Sequence, residues 1–203
     1  MRLRLIVGVG LFVILLLNNI SYGKKIGIRE QSISHLPFVA TVATDSIPLP
    51  PEQQQFFSRS KNYVLVISTL NKWKSTQAEG KFFQVIGNNR KLVWRRKLPQ
   101  KYGPRHVLVG DRGEVLMFDE WVNTESQYAV MMVNRKNRLV FQHDFESLGK
   151  IIGVPVLKIA EMAKYGAWIT SLPSIDASGR TVRVGTGGKV LTINLSSGGL
   201  SVK

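Results

Sequence analysis

Along most of this chain, short apolar runs alternate with clusters of turn residues, and one such rhythm occurs twice. Val85-Ile86, a five-residue polar turn, Leu92-Val93-Trp94 and Leu98 make the first copy. Met132-Val133, a five-residue polar turn, Leu139-Val140-Phe141 and Phe145 make the second, 47 residues later. Among these apolar positions Leu92/Leu139 and Val93/Val140 are identical. A shared period near this length is the mark of β-units that stack on one another.

The pattern predicts strands around both copies. Residues 63–67 are a short apolar, β-branched run of strand length. Residues 82–86 and 91–98 form a hairpin around Gly87-Asn88-Asn89-Arg90, residue types that accept the φ angles of tight turns. Residues 106–109, 114–118, 128–133 and 139–145, joined by turns at 110–113 and 134–137, read as a four-stranded meander. Residues 63–67 then match 106–109 at a separation of 43, across a longer loop at 71–80. Pro155 suits the start of a helix and Gly166 its C-terminal cap, so one short helix is expected near 155–165. A last hairpin, 181–184 with 190–195, turns at Gly185-Thr186-Gly187-Gly188, and the Gly/Ser-rich chain beyond Ser196 is expected to fray.

Gly113-Glu114-Val115-Leu116-Met117-Phe118-Asp119 and Leu92-Val93-Trp94 carry a resemblance that covers about residues 61–195. These strands resemble blades of the WD40-like and quinoprotein-like β-propellers. The resemblance implies a mainly β fold of antiparallel four-stranded meanders, a partial or small propeller-like body, with a β-sandwich built from the same hairpins as the alternative. The Gly-His…Trp-Asp pairing of WD40 repeats is missing, and no pyrroloquinoline quinone site is visible. At roughly 40 to 45 residues per blade, the chain holds four blades at most. The expected organisation is one β-rich domain at 61–197, with blade-like units at 61–99 and 103–146 and a helix-plus-hairpin C-terminal part. An extended arm at 24–60 precedes it, marked by Pro48, Pro50, Pro51 and Gln53-Gln54-Gln55, with a short strand at 38–42.

The N-terminus predicts export. Met1-Arg2-Leu3-Arg4 is a basic n-region, residues 5–17 are an apolar run, and Ser21-Tyr22-Gly23 supplies small residues before Lys24. That is the layout of a signal peptide over 1–23. As a helix the apolar run reaches about 20 Å, against the roughly 30 Å of a bilayer core. A periplasmic or extracellular location follows, with attachment through an uncleaved N-terminal segment as the alternative. The chain has no cysteine, so disulfides play no part in its stability. No later segment is apolar for long enough to span a membrane as a helix.

Candidate chemistry is sparse. Asp119-Glu120-Trp121 is the most enzyme-like cluster, yet adjacent strand residues point to opposite faces. No catalytic pair is assigned, and Asp119 is expected to cap a strand-end turn. His35, His106 and His143 fit no zinc spacing, so no metal and no cofactor are expected. Gly185-Thr186-Gly187-Gly188 precedes no helix and so lacks what a phosphate loop needs.

Charge is the feature with functional reach. Between Arg59 and Arg105 there are twelve basic residues and one acid, Glu79. Arg90, Lys91, Arg95, Arg96, Lys97, Lys101 and Arg105 are expected to form a cationic face, with Arg95 and Lys97 opposite Trp94 on their strand. The second copy has Gln142 and Asp144 where the first has Arg95 and Lys97, so the fold itself does not require these cations. Two function classes emerge. One is a non-catalytic envelope protein binding an anionic lipid headgroup, an acidic glycan or another protein; export argues against nucleic acid. The other is a hydrolase or lyase acting on an acidic polymer through Asp119 or Glu120. In an enzyme, two or more of Asp111, Glu114, Asp119, Glu120 and His143 would converge in a cleft.

Overall fold

Among the described residues, three four-stranded antiparallel sheets and two short helices make a mainly β fold, each sheet a meander with its strands in chain order. The first sheet contains β1 (Gln53–Phe57), β2 (Tyr63–Thr69), β3 (Ala78–Ile86) and β4 (Asn89–Lys97). The second contains β5 (His106–Val109), β6 (Val115–Phe118), β7 (Val130–Val133) and β8 (Leu139–His143). Helices α1 (Phe145–Ile152) and α2 (Val156–Glu161) lead to the third, with β9 (Ser171–Ile175), β10 (Thr181–Thr186), β11 (Lys189–Asn194) and β12 (Leu200–Val202). This computed structural model describes residues 49–119, 126–163 and 168–203, which fall in one unit, Ser46–Lys203. The signal peptide, the strand at 38–42, Glu120, Trp121, His35 and Gly166 lie outside the described residues.

The second sheet is the middle layer. Val115, Met117, Met131 and Val133 pack with Tyr63, Leu65, Phe82 and Trp94 of the first sheet. The alternate residues, Leu116, Phe118, Val130 and Met132, pack with Val182, Val184, Leu191 and Ile193 of the third, together with α1 and Trp168. Strands buried on both faces read as continuous apolar runs rather than alternating ones, which is why 115–118 and 130–133 carry no polar residue. Phe82 is stacked between Tyr63 and Trp94, at centroid distances of 5.5 and 5.2 Å. Gly80 makes room beside this stack: a Cβ there would meet Leu98 Cδ2 at 3.1 Å.

The turns between the first and second strands of the three sheets meet at one end. Ser60 N donates to Asp111 Oδ1 at 2.7 Å, linking the first sheet to the second. Arg59 Nη1 donates to Ala177 O at 2.7 Å, linking the first sheet to the third. First strands also neighbour one another, β1 against β5 and β5 against β9.

The 47-residue spacing survives in the fourth strands and fails in the third. In the first sheet Leu92 pairs with Phe83 and Trp94 with Phe82, leaving Val93 as a bulge. In the second, Leu139 pairs with Val133 and Phe141 with Met132, leaving Val140 as a bulge. The identical Leu-Val pair therefore marks one bulge used twice. Met132-Val133 corresponds to Phe82-Phe83, not to Val85-Ile86, because the first hairpin extends further. The bulge also corrects the expected faces. Strict alternation would put Leu92 beside Trp94, but Leu92 is 50% exposed on the opposite side, whereas Val93 packs toward the core with Trp94.

Other expectations change as well. Gln53–Phe57 belongs to the first sheet rather than to an arm: β1 pairs along its length with β2, and Phe56 packs into the core. Residues 63–67 are thus a second strand, equivalent to β6 and not to β5. The strand expected to reach Phe145 stops at His143, because Asp144 caps α1, accepting Ser147 N at 2.7 Å. Gly153, at φ 67°, closes that helix. Residues beyond Ser196 do not fray: β12 pairs Leu200, Ser201 and Val202 with β11, completing a third sheet.

Candidate functional site: a cationic sheet face

Registers across the first sheet define the side turned away from the second. Tyr63, Leu65 and Ile67 face the core, so the alternate residues of β2 face out. Pairing then gives rows across all four strands. One row is wholly apolar: Phe57, Val64, Phe83 and Leu92. On one side of it lie Gln55, Val66, Lys81 and Arg95, followed by Gln53, Ser68, Glu79 and Lys97. On the other side lie Val85 and Arg90. Four cations thus share these rows with one carboxylate.

That carboxylate is engaged twice. Arg95 Nε donates to Glu79 Oε1 at 2.6 Å, and Lys81 Nζ lies 3.4 Å from Oε2. The Glu79 side chain is 9% exposed, against 59% for Arg95 and 39% for Lys81. Burial alone pushes the Glu79 carboxyl up; hydrogen bonding and charge from Arg95, then Lys81, hold it below its ordinary 4.5. Arg90 lies over the Phe57 ring, 5.7 Å from its centroid. Strands β1 and β4 are about 14 Å apart at three strand spacings, so the two side chains reach toward each other over the intervening strands.

The seven cations singled out in the sequence do not all meet. The rows bring together Arg90, Arg95 and Lys97, and add Lys81. Lys91 pairs with Gln84, which accepts Arg135 Nη2 at 2.8 Å on the side facing the second sheet. Arg96 also turns that way, donating Nη1 to Asn137 Oδ1 at 3.0 Å. Lys101 and Arg105 lie in the loop between β4 and β5, where Tyr102 N donates to Thr76 O and Arg105 N to Phe118 O. Sequence reasoning did not foresee the apolar row. The period-two pattern Glu79, Lys81, Phe83, Val85 along β3 was its available signal.

The acid–base candidates occupy turns and strand ends. Asp111 accepts the Ser60 amide, and Glu114 lies against Gly110 in the same turn. Asp119 follows β6 at its other end and accepts the Ser126 hydroxyl. His143 stacks on Phe141 at 5.6 Å, opposite Val130. An open cavity of about 430 Å³ is lined by Glu52, Gln53, Ser68, Thr69, Leu70, Asn71 and Lys72, and by none of these candidates. No group of three or more His, Cys, Asp and Glu suited to a metal ion occurs among the described residues. No helix among them is long and apolar enough to cross a membrane. No protein-family model matches the chain, and no curated protein matches it either.

Proposed function

We propose that this is an exported, non-catalytic scaffold whose first sheet presents a cationic face to an anionic partner. The observation that carries this reading is one sheet face shared by Lys81, Arg90, Arg95 and Lys97 with a single carboxylate, which is already paired. A surface of one sign attracts polyanions and loses them as salt rises. Export rests on the layout of residues 1–23. An enzymatic reading through Asp119 would have to free a carboxylate that already accepts the Ser126 hydroxyl.

We read the body as propeller-like rather than as a sandwich. Flat stacking at about 10 Å per layer would hold the first and third sheets about 20 Å apart, beyond the reach of an arginine. The Arg59 bond to Ala177 supports sheets that fan from a common edge, as do the adjoining first strands.

The test is retention on immobilised heparin and on phosphatidylglycerol vesicles across a salt series. Arg90→Gln/Arg95→Gln/Lys97→Gln is compared with Lys158→Gln/Arg180→Gln/Lys203→Gln, which removes the same charge elsewhere. The first variant should elute earlier and show a shallower salt slope, by about one unit for each anionic group that is no longer neutralised. Equal elution of the two variants would reduce the cations to a solubility feature.

A further inference from the structure

We infer that the outward face of the first sheet is a docking surface for an acidic polypeptide that also carries apolar side chains. This rests on the cationic-face reading above and names the class of partner. Three features of the face converge on it.

The first is the apolar row. Phe57, Val64, Phe83 and Leu92 cross all four strands on the same side that, in the second sheet, presents Val115, Met117, Met131 and Val133 to its neighbour. That side in the second sheet is closed by another layer of polypeptide, with the four residues at most 2% exposed. The ends of the row in the first sheet lie on edge strands and are open, Phe57 at 48% and Leu92 at 50%, as is Leu139, the counterpart of Leu92 in the second sheet, at 56%. The middle is covered by its neighbours, with Val64 at 0%. An apolar row bordered by cations offers a packing surface to the apolar side chains of an acidic chain, and the row itself gives a sugar hydroxyl nothing to bond.

The second is the placement of charge. Arg90 flanks the row on one side, and Lys81, Arg95 and Lys97 flank it on the other. Arg95 commits Nε to Glu79, which leaves its terminal nitrogens for a second carboxylate. Two copies of this face would set four cations against four, so like charge opposes self-association and favours an acidic partner.

The third is Arg90. Its guanidinium rests on Phe57, the β1 end of the row, a contact of modest strength that an incoming carboxylate can replace. Moving it uncovers the apolar floor and supplies a cation at its rim.

The chain has no cysteine, so Leu92→Cys gives a single reactive thiol on this face. Val190→Cys, on the outward side of the third sheet at a position 41% exposed, is the control. Both full-length variants are labelled with a maleimide, alone and with a glutamate–tyrosine copolymer, poly-glutamate, heparin or phosphatidylglycerol vesicles. The Leu92→Cys thiol should label readily in the free chain. Copolymer at about ten times its apparent Kd should slow it about tenfold and leave the Val190→Cys thiol unchanged. Poly-glutamate should protect less at equal occupancy.

Equal protection by poly-glutamate would remove the apolar row from the interaction and overturn the proposal. Protection by vesicles or heparin to the copolymer's level would assign the face to a membrane or a glycan instead. A Leu92→Cys thiol already unreactive in the free chain would mean the chain covers this face itself. Slower labelling as protein concentration rises would assign it to a second copy. Loss of copolymer protection with heparin retention intact would sink the docking site alone, whereas loss of all polyanion binding would sink the cationic-face reading too.

Discussion

The two outward faces of the three-sheet body differ row by row. On the third sheet, one row reads Ser174, Arg183, Thr192 and Ser201 across its four strands, polar throughout. On the first sheet, Phe57, Val64, Phe83 and Leu92 cross in the same manner, apolar throughout. Both sheets turn an apolar side toward the middle layer, so the difference is not a demand of the shared core. The third sheet ends the body with a face suited to water. The first ends it with a face resembling the covered side of its neighbour, bordered by cations.

The largest expected effect measures what a covered face is worth. Met117→Ala removes a fully buried side chain from the layer between the first and second sheets and should cost about 2 to 5 kcal/mol in urea unfolding. Phe83→Ala, half-buried on the outward row, should cost less than half as much. Equal costs would mean that the outward row is as closed as the inner one, and the contrast between faces would fail. Asp144→Ala comes next, at about 1 kcal/mol, because it removes the cap of α1. Lys97→Ala, at the matching place in the first sheet, should stay within about 0.5 kcal/mol. The same small bound is expected for Thr192→Ala on the polar row.

Acid response sharpens the comparison further, since the first sheet's outward face holds a paired carboxylate. The folded-state value of Glu79 lies below its ordinary 4.5. Its stabilising contribution is therefore present above about pH 4.5 and is lost as pH falls through the lower folded value. Asp144 and Asp176 are shifted the same way by their hydrogen bonds to Ser147 and Ser178, so the wild-type chain loses stability in acid at several points. Glu79→Gln should be less stable than wild type at pH 7 and nearly equal to it well below pH 4. A gap that stays constant between those pH values would mean that ionised Glu79 contributes nothing.

Much of the second sheet was legible because its strands are short, apolar and punctuated by Gly110-Asp111-Arg112-Gly113 and Asn134-Arg135-Lys136-Asn137. The first strand of the first sheet was not. Gln53, Gln54 and Gln55 look like a solvated arm, yet an edge strand needs a partner on one side only, and β2 supplies it. Helix α1 was hidden because Phe145 continues the strand pattern; Asp144 and Ser147 held the competing cap signal. In the third sheet the central hairpin of β10 and β11 was legible, whereas the edge strands escaped: β9 carries Pro173 and two serines, and β12 has three residues in a Gly/Ser-rich stretch. For the candidate site, cation density was readable, whereas which cations share a face was not. A single inserted residue, Val93, decides where Leu92 sits relative to Trp94, and no period in the sequence announces it.

That inserted residue has a consequence for how the protein behaves in a crowd. Strands β4 and β8 are sheet edges, and an edge with regular spacing is a template on which another chain can add a strand. Val93 and Val140 interrupt the spacing at the same place in both, and local twist rises at such interruptions. On β4, Arg90, Lys91, Arg95, Arg96 and Lys97 also place charge along the exposed border. The device that turns Leu92 outward therefore also discourages ribbons of molecules joined side by side, keeping a β-rich chain dispersed while one of its faces stays apolar.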